Sequence, residues 1–309
     1  MSSTPTSELR NRLLVGDAHT ILQTLPDASV DCVVTSPPYY QLRDYGSTGQ
    51  IGHEPDVHGW VANLVSVFDQ IQRIIKPTGT VWLNLADTYS QHRRQGTRRK
   101  SLLFGPERLL LALAAHGWIV RNKIIWSKTN PMPHSVRDRL TGTWEYLYLL
   151  TATEKGYWFD LDAIRIPHLT KSPKPSRSTR TWDGSYGGTH DGITKLKRAG
   201  QIGHPLGKNP GDVWRLAKAA HRGCHSATFP ERLIESPILA GCPATTCARC
   251  GAPTCGHDAG RLPGLVLDPF IGTGTTAHVA ARLRRDWIGI DITDQYFRYP
   301  EQVEQKEVA

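Results

Sequence analysis

Apolar positions along the chain fall into two alternating patterns. Short apolar runs bounded by turn residues predict seven buried strands, over residues 12–15, 30–35, 80–85, 119–126, 145–151, 265–267 and 287–290. Longer stretches with helical spacing predict five helices, over residues 18–25, 57–75, 106–116, 230–240 and 275–283. Strands that alternate with helices in this way are typical of an α/β fold, in which a mostly parallel sheet is covered on both faces.

Residues 165–224 break this alternation. They are rich in Gly, Pro, Ser and Thr and poor in apolar residues, so we predict a loop-rich insert between two parts of one main domain, residues 1–164 and 225–309. The chain of 309 residues has a net charge of +9, and residues 171–222 alone contain eleven Lys or Arg against three acids. This excess of positive charge favours a polyanionic partner, and nucleic acid first.

A second basic cluster consists of Arg93, Arg94, Arg98, Arg99 and Lys100. A solvated surface is the alternative interpretation of either cluster taken alone. Two clusters in a basic chain, one of them with aromatic residues at positions 182 and 186, favour contacts with phosphates and some stacking on bases.

The sequence predicts no passage through a membrane. No run approaches the roughly 20 consecutive apolar residues that span a bilayer. Residues 1–12 are polar and contain no apolar signal core. We therefore expect a cytoplasmic protein.

A glycine loop near the end of the chain predicts a ligand site. An apolar strand leads into it and a helix follows it, with the sequence Asp268-Pro269-Phe270-Ile271-Gly272-Thr273-Gly274-Thr275-Thr276. Glycines let the backbone approach a ligand, and the helix start offers unpaired N–H groups. Asp291 ends the next predicted strand, where an acid binds ribose hydroxyls.

This loop has three alternatives to a nucleoside site. No Lys follows Gly274, which argues against a phosphate-binding P-loop. Only 18 residues follow Asp291, too few for the second nucleotide half of a dinucleotide dehydrogenase. A tight strand–helix turn without a ligand is the third alternative.

A second loop, Thr35-Ser36-Pro37-Pro38-Tyr39, follows the predicted strand 30–35. Its prolines favour an extended loop at the carboxyl end of that strand, where open α/β sheets place their active sites. Pro38 restricts Pro37 to extended conformations, so the Pro37 carbonyl can point at a ligand. Ser36 adds a hydroxyl and Tyr39 a flat face. Taken alone, the loop could also be a strand-terminating turn.

Together the two loops resemble those of the DNA amino-methyltransferases that use S-adenosylmethionine and methylate cytosine N4 or adenine N6. The catalytic loop comes first and the cofactor loop last, which resembles the β arrangement of that family. The resemblance extends over most of the chain, including residues 125–128, 227–230 and 288–291, and fades in 165–224. It implies a Rossmann-like class I methyltransferase fold, circularly permuted, with a mostly parallel seven-stranded sheet and with 165–224 as the target-recognition region.

The resemblance also implies roles for individual residues. The catalytic set is Ser36, Pro37, Pro38 and Tyr39. The set expected to bind S-adenosylmethionine is Asp17, Asp268, Pro269, Phe270, Gly272, Gly274, Thr275, Thr276 and Asp291. The set expected to contact double-stranded DNA is Arg93, Arg94, Arg98, Arg137, Arg139, Lys195, Lys197 and Arg198.

The target base and the partners remain open at this point. Ser rather than Asp at position 36 favours cytosine N4, with adenine N6 as the alternative. A catalytically silent DNA-binding protein of the same fold is a second alternative, and a methyltransferase acting on RNA or a small molecule is a third. A cognate restriction endonuclease is a candidate partner, and a monomer and a dimer are both compatible with the sequence.

Four of the six cysteines lie close together, within residues 241–257. Cys247-x-x-Cys250-Gly251 is typical of a zinc knuckle, and we expect Cys242 and Cys255 to complete four-coordinate zinc, with His257 as an alternative ligand. A surface insertion with free thiols is the alternative. Cys32 lies within an apolar strand and is predicted to belong to the core.

Overall fold

A computed structural model of the chain describes residues 6–44, 46, 49–168, 204–218 and 229–299. Its α-helices in that part of the chain are α1 (Thr6–Leu9), α2 (Ala18–Leu22), α3 (Val57–Ile74), α4 (Gly105–Ala115), α5 (Glu231–Gly241) and α6 (Thr275–Arg282). Its strands are β1 (Arg12–Val15), β2 (Val30–Thr35), β3 (Ile75–Leu85), β4 (Ile119–Lys128), β5 (Trp144–Thr151), β6 (Val213–Leu216), β7 (Thr245–Cys247), β8 (Arg261–Pro263), β9 (Leu265–Asp268) and β10 (Asp286–Asp291). Every predicted strand and helix is present.

The central sheet has the strand order β1-β10-β9-β2-β3-β5-β4-β6. All neighbouring strands are parallel except β5, which runs antiparallel to β3 and β4. The mostly parallel α/β fold predicted from the sequence is therefore confirmed. The predicted number of seven strands is corrected to eight within the part of the chain that the structure describes. The additional strand, β6, lies at the edge of the sheet, where its four half-exposed and exposed residues left no buried apolar run to detect.

The boundaries of the insert also differ from those predicted. The chain divides into one unit of residues 1–160 and 212–309 and a second unit, Leu161–Gly211. The end of the predicted insert 165–224 thus includes β6, which pairs with β4 in the first unit. The described part of the second unit contains a 3-10 turn, Asp162–Ile164, and a β-bridge between Ile166 and Lys208.

Helix α3 forms because its capping and its apolar spacing agree. The Asp56 carboxylate accepts hydrogen bonds from the backbone N–H groups of His58 and Gly59 and caps the helix start. Buried side chains then recur at helical spacing and face the sheet, at Trp60, Leu64, Phe68 and Ile71. The helix passes at Ile75 directly into β3, whose second half is a long run of buried residues inside the sheet.

Membrane-spanning helices are absent from the described residues. None of the helices there combines the length and the apolar character that crossing a bilayer requires.

Candidate active site at the carboxyl edge of the sheet

Four loops at one edge of the sheet surround a single cavity. They follow β1, β10, β9 and β2, which are adjacent and parallel, so their carboxyl ends meet. The cavity encloses about 900 Å³ of empty space, open solvent at its mouth included. It is lined by Gly16, Asp17, Ala18, Ser36, Pro38, Gly49, Gln50, Ile51, Phe229, Pro269, Phe270, Ile271, Gly272, Thr273, Thr275, Asp291, Ile292 and Tyr296.

The two glycines of the glycine loop have different reasons to be glycine. Both have left-handed backbones, with φ of +52° at Gly272 and +88° at Gly274. A Cβ at Gly272 would meet no atom within 4 Å, because the residue borders the open cavity. A Cβ at Gly274 would lie 2.9 Å from the Phe297 ring. Gly272 therefore leaves room for a ligand, whereas Gly274 is required by its neighbour and does not line the cavity.

Asp291 joins the glycine loop to the end of β10. Its carboxylate accepts hydrogen bonds from the backbone N–H of Gly272 at 2.8 Å and of Thr293 at 3.2 Å. Burial raises the pKa of Asp291 above its usual range. Asp291 thus lines the cavity, and its carboxylate is held in place by two backbone donors.

Asp268 lies beneath the cavity and does not line it. Its buried carboxylate accepts from the hydroxyls of Thr35 at 2.8 Å and Thr276 at 2.6 Å, and from the backbone N–H of Phe270 at 3.1 Å. Burial raises the pKa of Asp268 to about 6, although these hydrogen bonds oppose the rise. Asp268 therefore connects the loop after β2 with the glycine loop and with α6.

In the Ser-Pro-Pro-Tyr loop, Ser36 and Pro38 line the cavity. The indole N–H of Trp60 donates to the Pro38 carbonyl at 2.9 Å, which fixes the loop against α3. No donor among the described residues reaches the Pro37 carbonyl, so that oxygen remains the acceptor of the loop.

Tyr39 is anchored through its hydroxyl. The Ser36 hydroxyl donates to the Tyr39 oxygen at 3.3 Å, and the Tyr39 hydroxyl lies 2.8 Å from a Glu145 oxygen and 3.2 Å from the Asn84 amide oxygen. The second Glu145 oxygen accepts from the Lys128 ammonium at 2.5 Å. Strands β3, β4 and β5 thus support the loop with polar groups from their adjacent ends.

Asp17 lines the cavity and also caps α2. Its carboxylate accepts from the backbone N–H of Thr20 at 2.8 Å and from the Thr20 hydroxyl at 2.7 Å. The residue therefore has a structural role in addition to any contact with a ligand.

The structure brings together most, but not all, of the predicted site. The predicted residues that do not line the cavity are Pro37, Tyr39, Asp268, Gly274 and Thr276. The lining residues that sequence reasoning missed are Gly16, Ala18, Gly49, Gln50, Ile51, Phe229, Ile271, Thr273, Ile292 and Tyr296. Several of these are direct neighbours of predicted positions and could have been found from that adjacency. Phe229 falls in the segment 227–230 that resembles the family, whereas Tyr296 and residues 49–51 had no signal in the sequence.

The predicted basic residues fall into two groups. Lys195, Lys197 and Arg198 lie outside the described residues. The others come from two neighbouring loops: the Arg139 guanidinium stands 3.8 Å from the centre of the Tyr89 ring, and Lys100 pairs with Asp138 at 2.6 Å. Arg93, Arg94, Arg98 and Arg137 are exposed. The structure thus places the loop that carries Tyr89 and Lys100 against the loop that carries Asp138 and Arg139.

A group of three cysteines and one histidine lies on the antiparallel hairpin β7–β8, which we call the Cys/His hairpin (residues 245–263). Single ligand atoms of Cys247, Cys250, Cys255 and His257 lie within 4.8 Å of one another. Three of these residues were predicted ligands, and His257 was the predicted alternative.

Cys242 does not belong to this group and is corrected as a predicted ligand. It is fully buried at the end of α5, and its sulfur packs so closely that a Cβ at Gly264 would come within 2.8 Å of it. The side chain therefore fills the core beneath the hairpin, because the helix end turns it inward. Cys32 is buried in β2, as predicted.

Lys76 connects the Cys/His hairpin with the sheet. Its ammonium donates to the backbone carbonyl of Gly251 at 3.1 Å and to the buried carboxylate of Asp31 at 2.7 Å. The other Asp31 oxygen accepts from the backbone N–H of Leu265, at the start of β9. One buried ion pair thus fixes the hairpin turn next to the strand that leads to the glycine loop.

Comparison with protein families gives one match over most of the chain. A family model described as DNA methylase matches residues 30–302. Among characterised relatives, Type II methyltransferase M.SmaI of Serratia marcescens is 33% identical over 312 residues, which cover 94% of this chain and 89% of the relative. Type II methyltransferase M.Cfr9I of Citrobacter freundii is 33% identical over 306 residues, covering 92% and 84%.

Solved structures share the fold at lower identity. The PvuII DNA methyltransferase (cytosine-N4-specific) superposes with a TM-score of 0.59 at 18% identity, covering 92% of this chain and 82% of that one. A Thermus thermophilus protein described as a DNA modification methylase, in complex with S-adenosyl-L-methionine, gives a TM-score of 0.52 at 22% identity, covering 92% and 90%.

Proposed function

Because the chain belongs to the DNA methylase family, whose members are S-adenosylmethionine-dependent amino-methyltransferases, we propose that it methylates the exocyclic N4 amine of cytosine in double-stranded DNA. The observation that carries the proposal is that one cavity brings Ser36 of the Ser-Pro-Pro-Tyr loop together with Asp291 and the glycine loop. These are the two halves of a methyl transfer: a site for the amine and a site for the donor.

The residues of the cavity fit S-adenosylmethionine. The open space beside Gly272 and the N–H groups at the start of α6 suit the polar methionine part of the cofactor. The Asp291 carboxylate suits the ribose hydroxyls, and Asp17, across the cavity, suits the adenosine or amino group. Phe270 and Pro269 give apolar contact. Bound there, the cofactor would supply a methyl group on a sulfonium, which is already activated for transfer.

The protein then has to activate the amine. An exocyclic amine is a poor nucleophile because its lone pair is delocalised into the ring. The Ser36 oxygen and the Pro37 carbonyl accept hydrogen bonds from the two amine hydrogens and favour a tetrahedral nitrogen, whose lone pair points at the methyl group. As the nitrogen–carbon bond forms, the carbon–sulfur bond of the donor would break and leave a neutral thioether, and the methylated nitrogen would release one of its hydrogens as a proton to solvent. Positioning and these preorganised acceptors favour this direct transfer, and no covalent intermediate is needed.

The target base has to leave the duplex to reach this cavity, at a cost of a few kcal/mol of unstacking. Tyr39 itself does not line the cavity but directly follows Pro38, which does, and we expect its ring to stack on the flipped base and to return roughly 1–3 kcal/mol. The basic surface formed by Arg93, Arg94, Arg98, Arg137 and Arg139 would hold the surrounding phosphates. Residues 165–224, with Lys195, Lys197 and Arg198, are proposed to read the target sequence.

The choice of cytosine N4 depends on Ser36, and adenine N6 is the alternative. The test incubates the protein with isotopically labelled S-adenosylmethionine and unmethylated duplex DNA, digests the DNA to nucleosides and identifies the product by mass. We expect N4-methylcytosine. N6-methyladenine alone would overturn the choice of base, and cofactor binding without incorporation into any DNA would support the catalytically silent alternative. RNA in competition with duplex DNA tests the remaining alternative substrate.

We also propose that the Cys/His hairpin binds one structural zinc ion through Cys247, Cys250, Cys255 and His257. Three thiolates and one imidazole form a zinc donor set, and their mutual distances allow four-coordinate binding by one ion. Methyl transfer needs no metal, so this site stabilises the hairpin and leaves the reaction to the cavity.

By analogy with the Type II naming of the relatives, we further expect a cytoplasmic enzyme with a cognate restriction endonuclease.

A further inference from the structure

We infer that Glu145, held by Lys128, is a positioning residue that fixes the direction of the hydrogen bonds running from Ser36 to Tyr39. The inference rests on the proposed function, because it concerns how Ser36 receives the target amine. It adds a residue from β5 to a site that the sequence placed on two loops.

The observation is a polar chain that runs from a charged pair into the cavity. Glu145 and Lys128 have side chains only 13% and 16% exposed, and they pair at 2.5 Å. The other Glu145 oxygen lies 2.8 Å from the Tyr39 hydroxyl, and the Tyr39 oxygen lies 3.3 Å from the Ser36 hydroxyl. Of these hydrogen-bonded residues, Ser36 is the one that lines the cavity.

The direction of this chain follows from what each group can donate. An ionised carboxylate only accepts, so the hydrogen of the Tyr39 hydroxyl has to point at Glu145 or its neighbour. Asn84 agrees with this direction: its NH₂ donates to the Tyr146 carbonyl at 2.8 Å, so its oxygen is the atom that faces Tyr39, at 3.2 Å. Both neighbours can only accept at this position, so the single Tyr39 hydrogen points at one of them or between them, and neither donates to Tyr39.

The consequence appears at Ser36. Because the Tyr39 hydrogen points at these acceptors, the Tyr39 oxygen accepts the hydrogen of the Ser36 hydroxyl, at 3.3 Å. Ser36 then presents lone pairs to the cavity, as an amine with two hydrogens requires. With the opposite direction, Ser36 would point its own hydrogen at the amine. Lys128 supplies the counter-charge that a carboxylate with so little exposure needs.

The variant that tests this direction is Glu145→Gln. Lys128 holds the amide oxygen of the new side chain, so its NH₂ faces Tyr39, donates to the Tyr39 oxygen and competes there with Ser36. We expect the single-turnover rate of methyl transfer, at saturating S-adenosylmethionine and duplex DNA, to fall about 10- to 100-fold, as for one lost hydrogen bond to a charged group. The dissociation constant of the cofactor and the KM for DNA should stay unchanged.

A double-mutant cycle separates positioning from a general loss of structure. In a Ser36→Ala background the series of hydrogen bonds no longer reaches the cavity, so adding Glu145→Gln should change the rate of methyl transfer no further. Equal losses in both backgrounds, or a Glu145→Gln rate equal to the unmodified protein, would overturn the inference. If Glu145→Gln does not fold, Tyr39→Phe takes its place in the same cycle, because it keeps the ring and removes the relay.

The matched control is Glu107→Gln. Glu107 also pairs with a lysine of β4, Lys123, at 3.3 Å, but it lies outside the cavity. Its variant should keep the rate of the unmodified protein. The failure of this inference is distinguishable from a failure of the proposed function, since methyl transfer by the unmodified protein is measured first.

Discussion

The cavity at the sheet edge and the Cys/His hairpin are sites of opposite construction. The cavity is assembled from loops that lie far apart in the sequence: the hydrogen bond between Thr35 and Asp268 joins residues 233 positions apart. The four candidate ligands of the hairpin all come from residues 247–257. One site is a product of the whole sheet, and the other is a local segment attached to it.

The two sites also differ in what holds them before any ligand binds. Around the cavity, the carboxylates of Asp268 and Asp291 are satisfied by backbone and hydroxyl donors, so the loops are fixed by the fold itself. On the hairpin, Cys250 and Cys255 are exposed, and little apolar burial stabilises the turn. The cavity is thus preorganised by protein groups, whereas the hairpin would depend on the proposed zinc ion.

The first prediction concerns the cavity, where a single substitution should strongly lower the rate of methyl transfer. Ser36→Ala removes an acceptor for the target amine, so the rate of methyl transfer should fall by about 10²–10³-fold. Cofactor affinity should be retained, since Ser36 has no proposed contact with the methionine or ribose parts. Isothermal titration with S-adenosylmethionine and a single-turnover assay measure the two quantities.

Asp291→Ala is the reciprocal control for this prediction. It should weaken cofactor binding and leave the rate at saturating cofactor much closer to that of the unmodified protein. If Ser36→Ala weakened cofactor binding as strongly as Asp291→Ala, the assignment of the two loops to separate tasks would be wrong.

The second prediction concerns a substitution that should disrupt the Cys/His hairpin and leave the cavity intact. Cys250→Ser removes an exposed candidate ligand, so the zinc content should fall from about one equivalent to less than about 0.2. The free energy of unfolding should fall by about 3 kcal/mol, the stabilisation given by a ligand present at roughly a hundred times its Kd. Metal analysis of protein purified without chelators and urea unfolding measure these changes.

Cys242→Ala is the matched control, because Cys242 is buried outside the group of four ligands. It should keep its zinc even if the small cavity costs stability. Loss of zinc on Cys242→Ala with retention on Cys250→Ser would contradict the ligand set. An unmodified protein with less than about 0.2 equivalents would contradict the zinc site itself.

The third prediction concerns the pH dependence of stability that arises from Asp268, the buried carboxylate that joins the loops. Its pKa in the folded protein, about 6, lies above the ordinary value of 3.8. The folded state therefore holds this proton more tightly than the unfolded state. The resulting stabilisation is complete at pH below about 4 and is lost as the pH rises through about 6, on the order of 2–3 kcal/mol in total.

Asp268→Asn removes this titration, so the variant isolates it from other acids. The free energy of unfolding of the unmodified protein minus that of the variant should decrease between pH 4 and pH 7 and stay constant above. Urea unfolding across this range measures the difference. A difference that is independent of pH would show that Asp268 titrates normally.

The smallest expected effect concerns the basic surface. Arg137→Ala removes one exposed positive charge, so DNA affinity should fall a few-fold and the slope of log K against log salt should decrease by about 1. The exposed Arg249 of the Cys/His hairpin is the matched control, and Arg249→Ala should leave the slope unchanged. Fluorescence anisotropy at several salt concentrations measures both. Equal effects of the two variants would show that DNA affinity depends only on the total charge of the protein and not on where that charge lies.

The sequence predicted the interior of the fold better than its periphery, for a physical reason. Strand β2, which is buried along its whole length, begins and ends at the predicted residues, because buried parallel strands are apolar runs bounded by turn residues. Strand β6, at the edge, has exposed positions and was missed. The glycine loop and the Ser-Pro-Pro-Tyr loop were found because strand ends place their chemistry in short, local strings.

Contacts between distant segments had no such signal. Glu145 lies 106 positions from Tyr39, and no local pattern connects the two. The ligand set was ambiguous because cysteine spacing does not show which way a helix end turns Cys242. The position of Asp268 beneath the cavity also had no local signal, since an acid beside a glycine loop can face the ligand or the core, and only the fold decides.

The strand order also determines when the enzyme can become active during synthesis. Strand β1 pairs in the central sheet with β10 alone, and β2 reaches its second partner only in β9. On the ribosome, the Ser-Pro-Pro-Tyr loop thus emerges long before the strands that complete its cavity. A nascent chain would present β1 as an unpaired apolar segment until residues 286–291 are translated, so late folding is expected to make this edge a binding site for chaperones.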